Sequence, residues 1–198
     1  MNTSLLTGSQ TVGPFFSPSL LREDACRNVL AQPESAGERI RIEGRVLDGD
    51  KAPVPDAMVE IWQANARGRY NHATDQGPAQ LDLTFTGFGR SGTGDDGSYW
   101  FETIKPGPVP FNAGHMQAPH ICVTVFARGL LNHLVTRLYF EDETTNAEDP
   151  VLQCVPNERR ATLLARREQG GGGSGDAPIV YRFDIVLQGA SETVFFNL

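Results

Sequence analysis

His120 and Cys122 are the residues in this sequence whose types and spacing most suggest metal chemistry. They stand two apart in the segment APHICV, where a strand should begin, and on a strand this spacing places both side chains on one face. Their neighbours offer little to a metal, because Val109 in the preceding turn KPGPVP has no donor atom. A zinc site formed by His115, His120 and Cys122 is an alternative, since these atoms suit zinc, but the spacing is not that of a recognised zinc finger.

Short alternating segments provide the strands that would position these residues. The segment RIRIEGRVLDG has Ile40, Ile42 and Val46 between polar residues, which is the pattern of a strand with one buried face. Further strands are predicted at AMVEIWQAN, SYWFETI, HICVTVFARG, HLVTRLYFED and VYRFDIVLQG. About six strands with turn-rich connections predict an all-β fold, specifically an antiparallel β-sandwich.

The two ends of the chain depart from this alternation. Residues 1–39 predict an irregular N-terminal arm with a possible short helix in SLLREDACRNVLA, and NERRATLLARREQ predicts one short C-terminal helix with Asn157 as its N-cap. The run GGGGSG at 170–175 has no side chains with which to build structure and predicts a mobile loop. We therefore expect a single domain over 1–198, with a β-sandwich core at 40–198.

Composition and charge exclude several classes of function. The chain has 24 acidic and 17 basic residues, and the resulting charge of −7 has the wrong sign for binding nucleic-acid phosphates. The three cysteines, Cys26, Cys122 and Cys154, form no CxxC pair and fit a reducing cytoplasm. We recognise no export signal and no run of about 18 apolar residues. The expectation is a soluble cytoplasmic protein that binds neither nucleic acid nor membrane.

The order of three motifs resembles the intradiol ring-cleavage dioxygenases. The segment WQANARGRY is followed by TIKPGPVP and then by APHI, and the resemblance covers roughly residues 8 to 198. Members of that family open the rings of catechols with non-haem ferric iron. The resemblance implies a transthyretin-like, or prealbumin-like, sandwich.

The resemblance also implies which positions would hold the iron. Catalytic members use two tyrosines and two histidines. Here Tyr70 and His120 match the first tyrosine and the first histidine, while Val109 and Cys122 replace the other two ligands. We call these four positions the relic site. Hard oxygen ligands suit ferric iron and a thiol does not, so we expect this chain to bind no metal and Tyr70 and His120 to be buried, hydrogen-bonded relics.

Intact fold motifs with broken ligands resemble the iron-free subunit of a two-chain member of the family. This resemblance implies a partner chain that holds the Fe(III), a small aromatic substrate with a carboxylate, O2 as co-substrate, and an active site between the chains. Thr11, Gly13 and Pro14 in SQTVGPFF would line the partner's pocket, although Phe15 stands where a tyrosine is common. Arg128 in FARG would receive the carboxylate. We call Thr11, Gly13, Pro14 and Arg128 the predicted pocket residues.

Exposed apolar residues would favour such a partnership. The arm carries Phe15 and Phe16, and the chain ends in VFFNL. Solitary proteins usually avoid exposing apolar patches of this kind. We therefore expect the chain to assemble with a partner.

Simpler interpretations of the same residues remain open. Gly13 and Pro14 fit an ordinary turn, Arg128 fits a solvated strand end, and Cys122 fits a small apolar core residue. The alternative function is a stand-alone transthyretin-like binding module without catalysis. This alternative is compatible with the first half of the segment GRVLDGDKAPVPDAMVEIWQANARGRYNH, because small non-catalytic modules that serve as binding domains or spacers share that pattern.

Overall fold

The structure is a computed structural model that describes residues 9, 12–112, 114–168 and 178–197. These residues contain strands and a few short helices. The strands are β1 Arg39–Leu47, β2 Met58–Trp62, β3 Phe88–Gly92, β4 Ser98–Ile104, β5 Val109–Pro110, β6 Met116–Gln117, β7 His120–Phe126, β8 Leu134–Phe140, β9 Leu164–Arg167, β10 Ile179–Arg182 and β11 Ile185–Val186. The α-helices are α1 Phe16–Leu20 and α2 Asn157–Arg160, and the 3-10 helices are Thr144–Glu148, Leu152–Cys154 and Ala161–Leu163.

Nine of the described strands form one mixed sheet. The strands follow the order β3, β2, β7, β8, β9, β10, β1, β4. Strand β11 pairs with the last residues of β1, whereas β10 pairs with its first part. Strand β1 is parallel to β10 and β11, and β8 is parallel to β9. Parallel neighbours need a crossover connection, and the long connection after β8 brings the first residues of β9, Leu164 and Ala165, beside Tyr139 and Phe140 at the end of β8. A mostly β fold with few helices is confirmed, but the expectation of a wholly antiparallel sheet is wrong.

One hydrophobic core receives alternate side chains from both halves of this sheet. Ile40, Ile42 and Val46 on β1 are buried, as the alternation predicted. They belong to the same cluster as Phe101 on β4 and Val123 on β7. Because successive side chains of a strand point to opposite faces, the residues of β7 between its core positions lie on the outer face of the sheet. The candidate functional residues of β7 are among them.

The N-terminal segment closes the gap between the two ends of the sheet. Arg27 bridges Arg90 of β3, with the Arg27 amide donating to the Arg90 carbonyl at 2.8 Å, and Val29 bridges Glu102 of β4. The next residue, Leu30, donates its amide to the Glu102 carbonyl at 2.9 Å and is 3% exposed. Backbone groups of an open sheet edge need such partners. Part of the predicted arm therefore completes the nearly closed sheet.

The predicted C-terminal helix is much shorter than expected. Helix α2 has four residues, and Asn157 is its first helical residue rather than its cap. The chain continues as the 3-10 helix Ala161–Leu163 and then as strand Leu164–Arg167, where Ala165 is fully buried in the core. Pairing with β8 and burial of alternate residues outweigh local helix propensity here. The predicted loop at 170–175 lies outside the described residues.

The described helices are all short. Helix α1 covers only five residues, so the possible helix in SLLREDACRNVLA is wrong over most of its length. After α1 the chain makes a turn, in which the Arg22 carbonyl accepts the Cys26 N–H at 2.9 Å, and then reaches the bridge at Arg27. None of the helices in the described ranges has the length and apolar character needed to cross a bilayer.

The C-terminal segment is docked on the fold. Val194 and Phe196 pack against a small buried cluster beside β8, and Phe195 packs against the main core. The Phe196 amide donates to the Val135 carbonyl at 2.8 Å. The expectation that the terminus VFFNL forms an exposed apolar patch is wrong for these residues, because the sheet offers them partners.

We expect Leu30→Ala to destabilise the chain because it removes the buried side chain that fills the closure of the sheet. A truncation of this kind in a core lowers the free energy of unfolding by about 2 to 4 kcal/mol. Val29→Ala, at the neighbouring exposed position, should cost less than about 1 kcal/mol. Urea unfolding followed by circular dichroism measures both values. Equal effects of the two substitutions would show that the segment does not belong to the core.

Candidate functional site

Two relic residues, His120 and Cys122, lie on the outer face of β7, between β2 and β8. In the sheet register Cys122 on β7 stands between Trp62 on β2 and Arg137 on β8. His120, two residues before Cys122, pairs with Tyr139 on β8. His120 and Cys122 therefore share one strand face, as their spacing predicted.

Tyr70 reaches this face from the loop that follows β2. Its ring stacks on the Trp62 ring, with centroids 5.9 Å apart and planes at 17°. Its backbone N–H donates to Asp75 Oδ2 at 2.8 Å. Burial raises the pKa of the Tyr70 phenol well above its ordinary value, the Cys122 thiol adds to the rise, and the Arg137 guanidinium opposes it. Tyr70 is therefore a protonated phenol close to both of these groups.

His120 is a buried, neutral imidazole. It is 3% exposed, and its ring is tilted against that of Tyr139 with centroids 5.7 Å apart. Its Nδ1–H donates to the Ala118 carbonyl at 2.8 Å, since a carbonyl oxygen can only accept. Desolvation lowers the pKa of His120 to about 4, and the positive charge of Arg137 also lowers it. His120 therefore carries no charge near neutral pH.

Val109 and Cys122 provide no donor of the kind that iron prefers. Val109 is buried in β5 and pairs with Gln117 of β6, so an apolar side chain occupies the position of the second expected tyrosine. Burial raises the pKa of the Cys122 thiol, although Arg137 opposes the rise. The thiol therefore stays protonated and neutral.

Arg137 brings a permanent positive charge into this neutral group. Its Nη1 donates to Gln117 Oε1 at 2.7 Å and to the Tyr139 hydroxyl at 3.3 Å. The Tyr139 O–H donates to Asp149 Oδ1 at 3.0 Å. Asp149 is fully buried and also accepts the Ala118 N–H at 2.8 Å on Oδ2. A guanidinium, a phenol and a carboxylate thus form one hydrogen-bonded chain beside the relic site.

Sequence reasoning missed this chain of residues. An arginine in the middle of the apolar strand LVTRLYF is a signal that could have identified Arg137, because arginine is seldom placed within a buried sheet without a partner. Tyr139, two residues later, shares its strand face. Asp149 has no comparable signal, because only the fold brings it to β8.

The donors at the relic site do not fit ferric iron. Iron of this kind prefers hard oxygen ligands, but Val109 offers no donor, Cys122 is a thiol where a histidine is expected, and Arg137 stands beside Cys122 in the sheet register. Within the described part of the chain, no three His, Cys, Asp or Glu side chains are grouped so that they could hold a metal ion. The zinc alternative, which needs the exposed His115 together with His120, gains no support.

The arm residues among the predicted pocket residues are exposed where the structure describes them. Thr11 lies outside the described residues, whereas Gly13 and Pro14 are exposed in a turn. Phe15 is 83% exposed, but Phe16 is buried and packs against the end of β7, so the expected exposure of Phe16 is wrong. The arm is thus anchored by one aromatic ring while the residues before that ring face outward.

Arg128 stands just beyond the end of β7. Its side chain is 74% exposed, and its Nε lies 3.1 Å from Asp56 Oδ2. Leu131, in the same turn, is 82% exposed. This end of the sheet therefore presents an exposed cation next to exposed apolar surface.

The relic histidine and cysteine lie at one end of β7, and those predicted pocket residues that the structure describes lie at the other. His120 and Cys122 belong to its first three residues, whereas Arg128 follows its last residue, Phe126, on which the arm is anchored. A seven-residue strand that rises about 3.3 Å per residue spans roughly 20 Å. Gly13, Pro14 and Arg128 are therefore too far from His120 and Cys122 of their own chain to line one pocket with them.

Comparison with known proteins identifies relatives over most of the chain. A family model described as "Dioxygenase" matches residues 11–189. The chain is 44% identical to the protocatechuate 3,4-dioxygenase alpha chain of Burkholderia cepacia, covering 100% of both chains. It is 40% identical to the protocatechuate 3,4-dioxygenase beta chain of the same organism, covering 94% of this chain and 77% of the relative.

Solved structures with the same fold are also dioxygenases. The dioxygenase domain of a dioxygenase and carbohydrate-binding protein fusion from Streptomyces sp. SirexAA-E matches with a TM-score of 0.61 and 27% identity, covering 92% of this chain and 97% of that one. Catechol 1,2-dioxygenase from Acinetobacter sp. ADP1 matches with a TM-score of 0.64 and 19% identity, covering 80% and 55%. The second match shows a shared fold only.

The buried, neutral state of His120 predicts that stability depends on pH. Its pKa falls from an ordinary 6.5 to about 4 on folding, so between these values the unfolded chain binds a proton that the folded chain does not. The free energy of unfolding should therefore decrease as the pH falls from 7 to 4, by about 3 kcal/mol at about 1.4 kcal/mol per pKa unit. Urea unfolding over this pH range measures the loss.

The matched variants for this measurement are His120→Gln and His115→Gln. His120→Gln should show a weaker dependence on pH than the unchanged chain, because it has no imidazole to protonate. His115→Gln, at an exposed position, should retain the dependence of the unchanged chain. If all three proteins lose stability in parallel, the acid sensitivity comes from other groups.

Proposed function

The chain belongs to the intradiol ring-cleavage dioxygenase family, and we propose that it is the alpha chain of a protocatechuate 3,4-dioxygenase. The proposed enzyme cleaves protocatechuate with O2 between its two hydroxyl-bearing carbons and forms 3-carboxy-cis,cis-muconate, a step of aromatic catabolism in the beta-ketoadipate pathway. The alternative of a stand-alone binding module is less well supported, because the similarity to named alpha chains extends over at least 96% of this chain.

One observation carries the proposal. The predicted pocket residues that the structure describes are exposed at one end of β7, roughly 20 Å along the strand from the relic site. Residues so placed are able to line a pocket only if another chain completes it. Exposed Phe15 and Leu131 supply apolar surface at the same end of β7 for contact with such a chain.

We assign the non-haem Fe(III) to a partner beta chain. The missing donor at Val109 and the thiol at Cys122 support this assignment, as do relatives that are named as separate alpha and beta chains. In this arrangement the present chain contributes its fold, the interface and part of the partner's pocket through Thr11, Gly13 and Pro14. The loss of a hydroxyl at Phe15 removes one hydrogen bond that a tyrosine would make there.

Arg128 is proposed to receive the carboxylate of the substrate. A guanidinium binds a carboxylate through two parallel N–H donors. The Asp56 contact engages Nε, and the terminal nitrogens then pair with a carboxylate that approaches from the partner's side. The ion pair with Asp56 keeps the guanidinium near the end of β7.

The domain organisation and location belong to the same proposal. We propose one domain over residues 1–198, with an arm at 1–39 and a transthyretin-like sandwich core at 40–198. The main core, which receives side chains from both halves of the sheet, supports this division. A cytoplasmic location, expected from three cysteines that the structure leaves as free thiols, stays a prediction.

Iron content should distinguish the proposed two-chain enzyme from a catalytic single chain. We expect the chain produced alone to contain no stoichiometric Fe(III) and to lack the visible tyrosinate-to-iron absorption, because Val109 offers no donor and Cys122 offers a thiol in place of an imidazole. The complex with a beta chain should contain iron and show the colour. Metal analysis and visible spectroscopy measure both. His120→Gln in this chain should leave the iron content of the complex unchanged, and a burgundy, active single chain would contradict the assignment.

Arg128→Ala in the assembled enzyme should raise KM for protocatechuate by roughly tenfold or more, because a charge-assisted hydrogen bond contributes about 1.5 to 3 kcal/mol to binding. Turnover of plain catechol, which has no carboxylate, should change little. Steady-state kinetics with both substrates measures the difference. Arg128→Lys should recover part of the loss, because a point charge replaces a planar fork.

Asp56→Asn is the control for a purely structural role of the ion pair. It removes the charge that faces Arg128 and leaves the guanidinium in place. If the pair only holds the loop together, Asp56→Asn and Arg128→Ala should damage the reactions of both substrates to the same degree. A larger effect of Arg128→Ala that is confined to protocatechuate supports carboxylate binding. Unchanged kinetics with both substrates would show that Arg128 is only a solvated residue at the end of a strand.

A further inference from the structure

We propose that the Arg137 guanidinium is an internal cation that has taken the place of the family's metal ion, so that restoring the lost ligands alone does not restore metal binding. The proposal goes beyond the assignment of the chain as an iron-free subunit. Loss of ligands explains why iron is not held, whereas a resident cation explains why it is kept out. The two explanations predict different results for the same variants.

The position of Arg137 is the first argument. In the sheet register it stands directly beside Cys122, which lies two residues from His120 on the same strand face. The guanidinium is close enough to interact electrostatically with the side chains of Tyr70, His120 and Cys122. One positive charge therefore acts on three of the four relic side chains, and Cys122 is its direct neighbour in the sheet.

The anchoring of Arg137 is the second argument. Its Nη1 is held by Gln117 Oε1 at 2.7 Å and by the Tyr139 hydroxyl at 3.3 Å. Gln117 and Tyr139 are both buried, so the guanidinium cannot leave without breaking hydrogen bonds inside the protein. An arginine whose partners are buried is a fixed part of the site rather than a mobile surface charge.

The charge balance of the site is the third argument. Asp149 is fully buried and accepts hydrogen bonds from the Tyr139 hydroxyl at 3.0 Å and from the amides of Val151 and Leu152 at 3.0 and 2.7 Å. Tyr139 links this carboxylate to Arg137. One buried anion thus compensates one cation, and the remaining relic side chains are neutral. An added metal ion would bring positive charge into a site whose charge is already balanced.

Restored ligands would therefore meet a cation that is already present. Val109 pairs with Gln117, the residue that accepts a hydrogen bond from Arg137, so a tyrosine at position 109 would have the guanidinium as a competing partner for its oxygen. A histidine at position 122 would project beside the same positive charge. A metal ion bound by these restored ligands and the Arg137 guanidinium would both be positive, and two positive charges repel each other strongly in a site with little water.

The experiment uses the full-length chain produced without a partner, so that its outcome is independent of iron held by another chain. The double variant Val109→Tyr/Cys122→His is compared with the triple variant that adds Arg137→Gln. Each protein is incubated with Fe(III) citrate, desalted, and examined for iron content and for the visible absorption of an iron tyrosinate. We expect the triple variant to retain at least about tenfold more iron than the double variant, because removal of a facing charge changes binding by that order.

Two further triple variants serve as controls. One tests whether the charge of Arg137 matters, and the other tests whether removing any arginine has the same effect. Adding Arg137→Lys instead of Arg137→Gln keeps the positive charge and should leave the protein as poor in iron as the double variant. Adding Arg166→Gln removes an exposed arginine on β9 and should also change nothing. Circular dichroism and thermal unfolding show whether each protein is folded, and Arg137→Met is the replacement for Arg137→Gln if the latter does not fold.

The outcomes are distinct. Iron in the Arg137→Gln or Arg137→Met triple variant, with none in the double, Lys or Arg166 variants, supports the resident cation. Equal iron binding by the double and triple variants overturns it, because the charge would then be no obstacle. Absence of iron from all folded variants also overturns it, because something other than Arg137 would exclude the metal. None of these results changes the expected iron content of the two-chain complex, which tests the proposed function separately.

Discussion

The structure depends on the position of β7 between β2 and β8. Strand β7 sends Ile121, Val123 and Val125 into the core, and the same alternation places His120 and Cys122 on the outer face. A shift of register by one residue would exchange the two sets, which would expose apolar side chains and bury polar ones. Burial of the inner residues therefore sets the geometry of the relic site without any metal to organise it.

Neutrality is what allows the outer face of β7 to stay packed. Burial disfavours the charged forms of tyrosine, cysteine and histidine, and the pKa shifts of Tyr70, Cys122 and His120 all favour their neutral forms. Arg137 cannot respond in this way, because a guanidinium does not lose its proton in proteins. It is accommodated through hydrogen bonds that lead to buried Asp149. The relic site thus holds one compensated charge pair among neutral groups.

The N-terminal segment has one role within the chain and a second, proposed role outside it. Near Leu30 it bridges β3 and β4 and fills the closure of the sheet. Nearer its start, Phe16 fixes helix α1 against Phe126 while Phe15 faces outward. A segment that is anchored at both points presents its exposed turn in a defined place. This anchoring favours recognition of a partner, because an anchored segment loses less conformational entropy on association than a free tail does.

The sequence by itself determined the strands with regular alternation and the chemistry that the relic site lacks. Ile40 and Ile42 are buried because a two-residue period encodes a strand face, and Val109 cannot donate to a metal in any fold. Only the tertiary structure decided the parallel pairings and the conversion of a predicted helix into β9, because these depend on partners far away along the chain. It also decided that Arg137 meets Asp149 through Tyr139. Local patterns specify which face a residue occupies, whereas contacts between distant residues specify what that face meets.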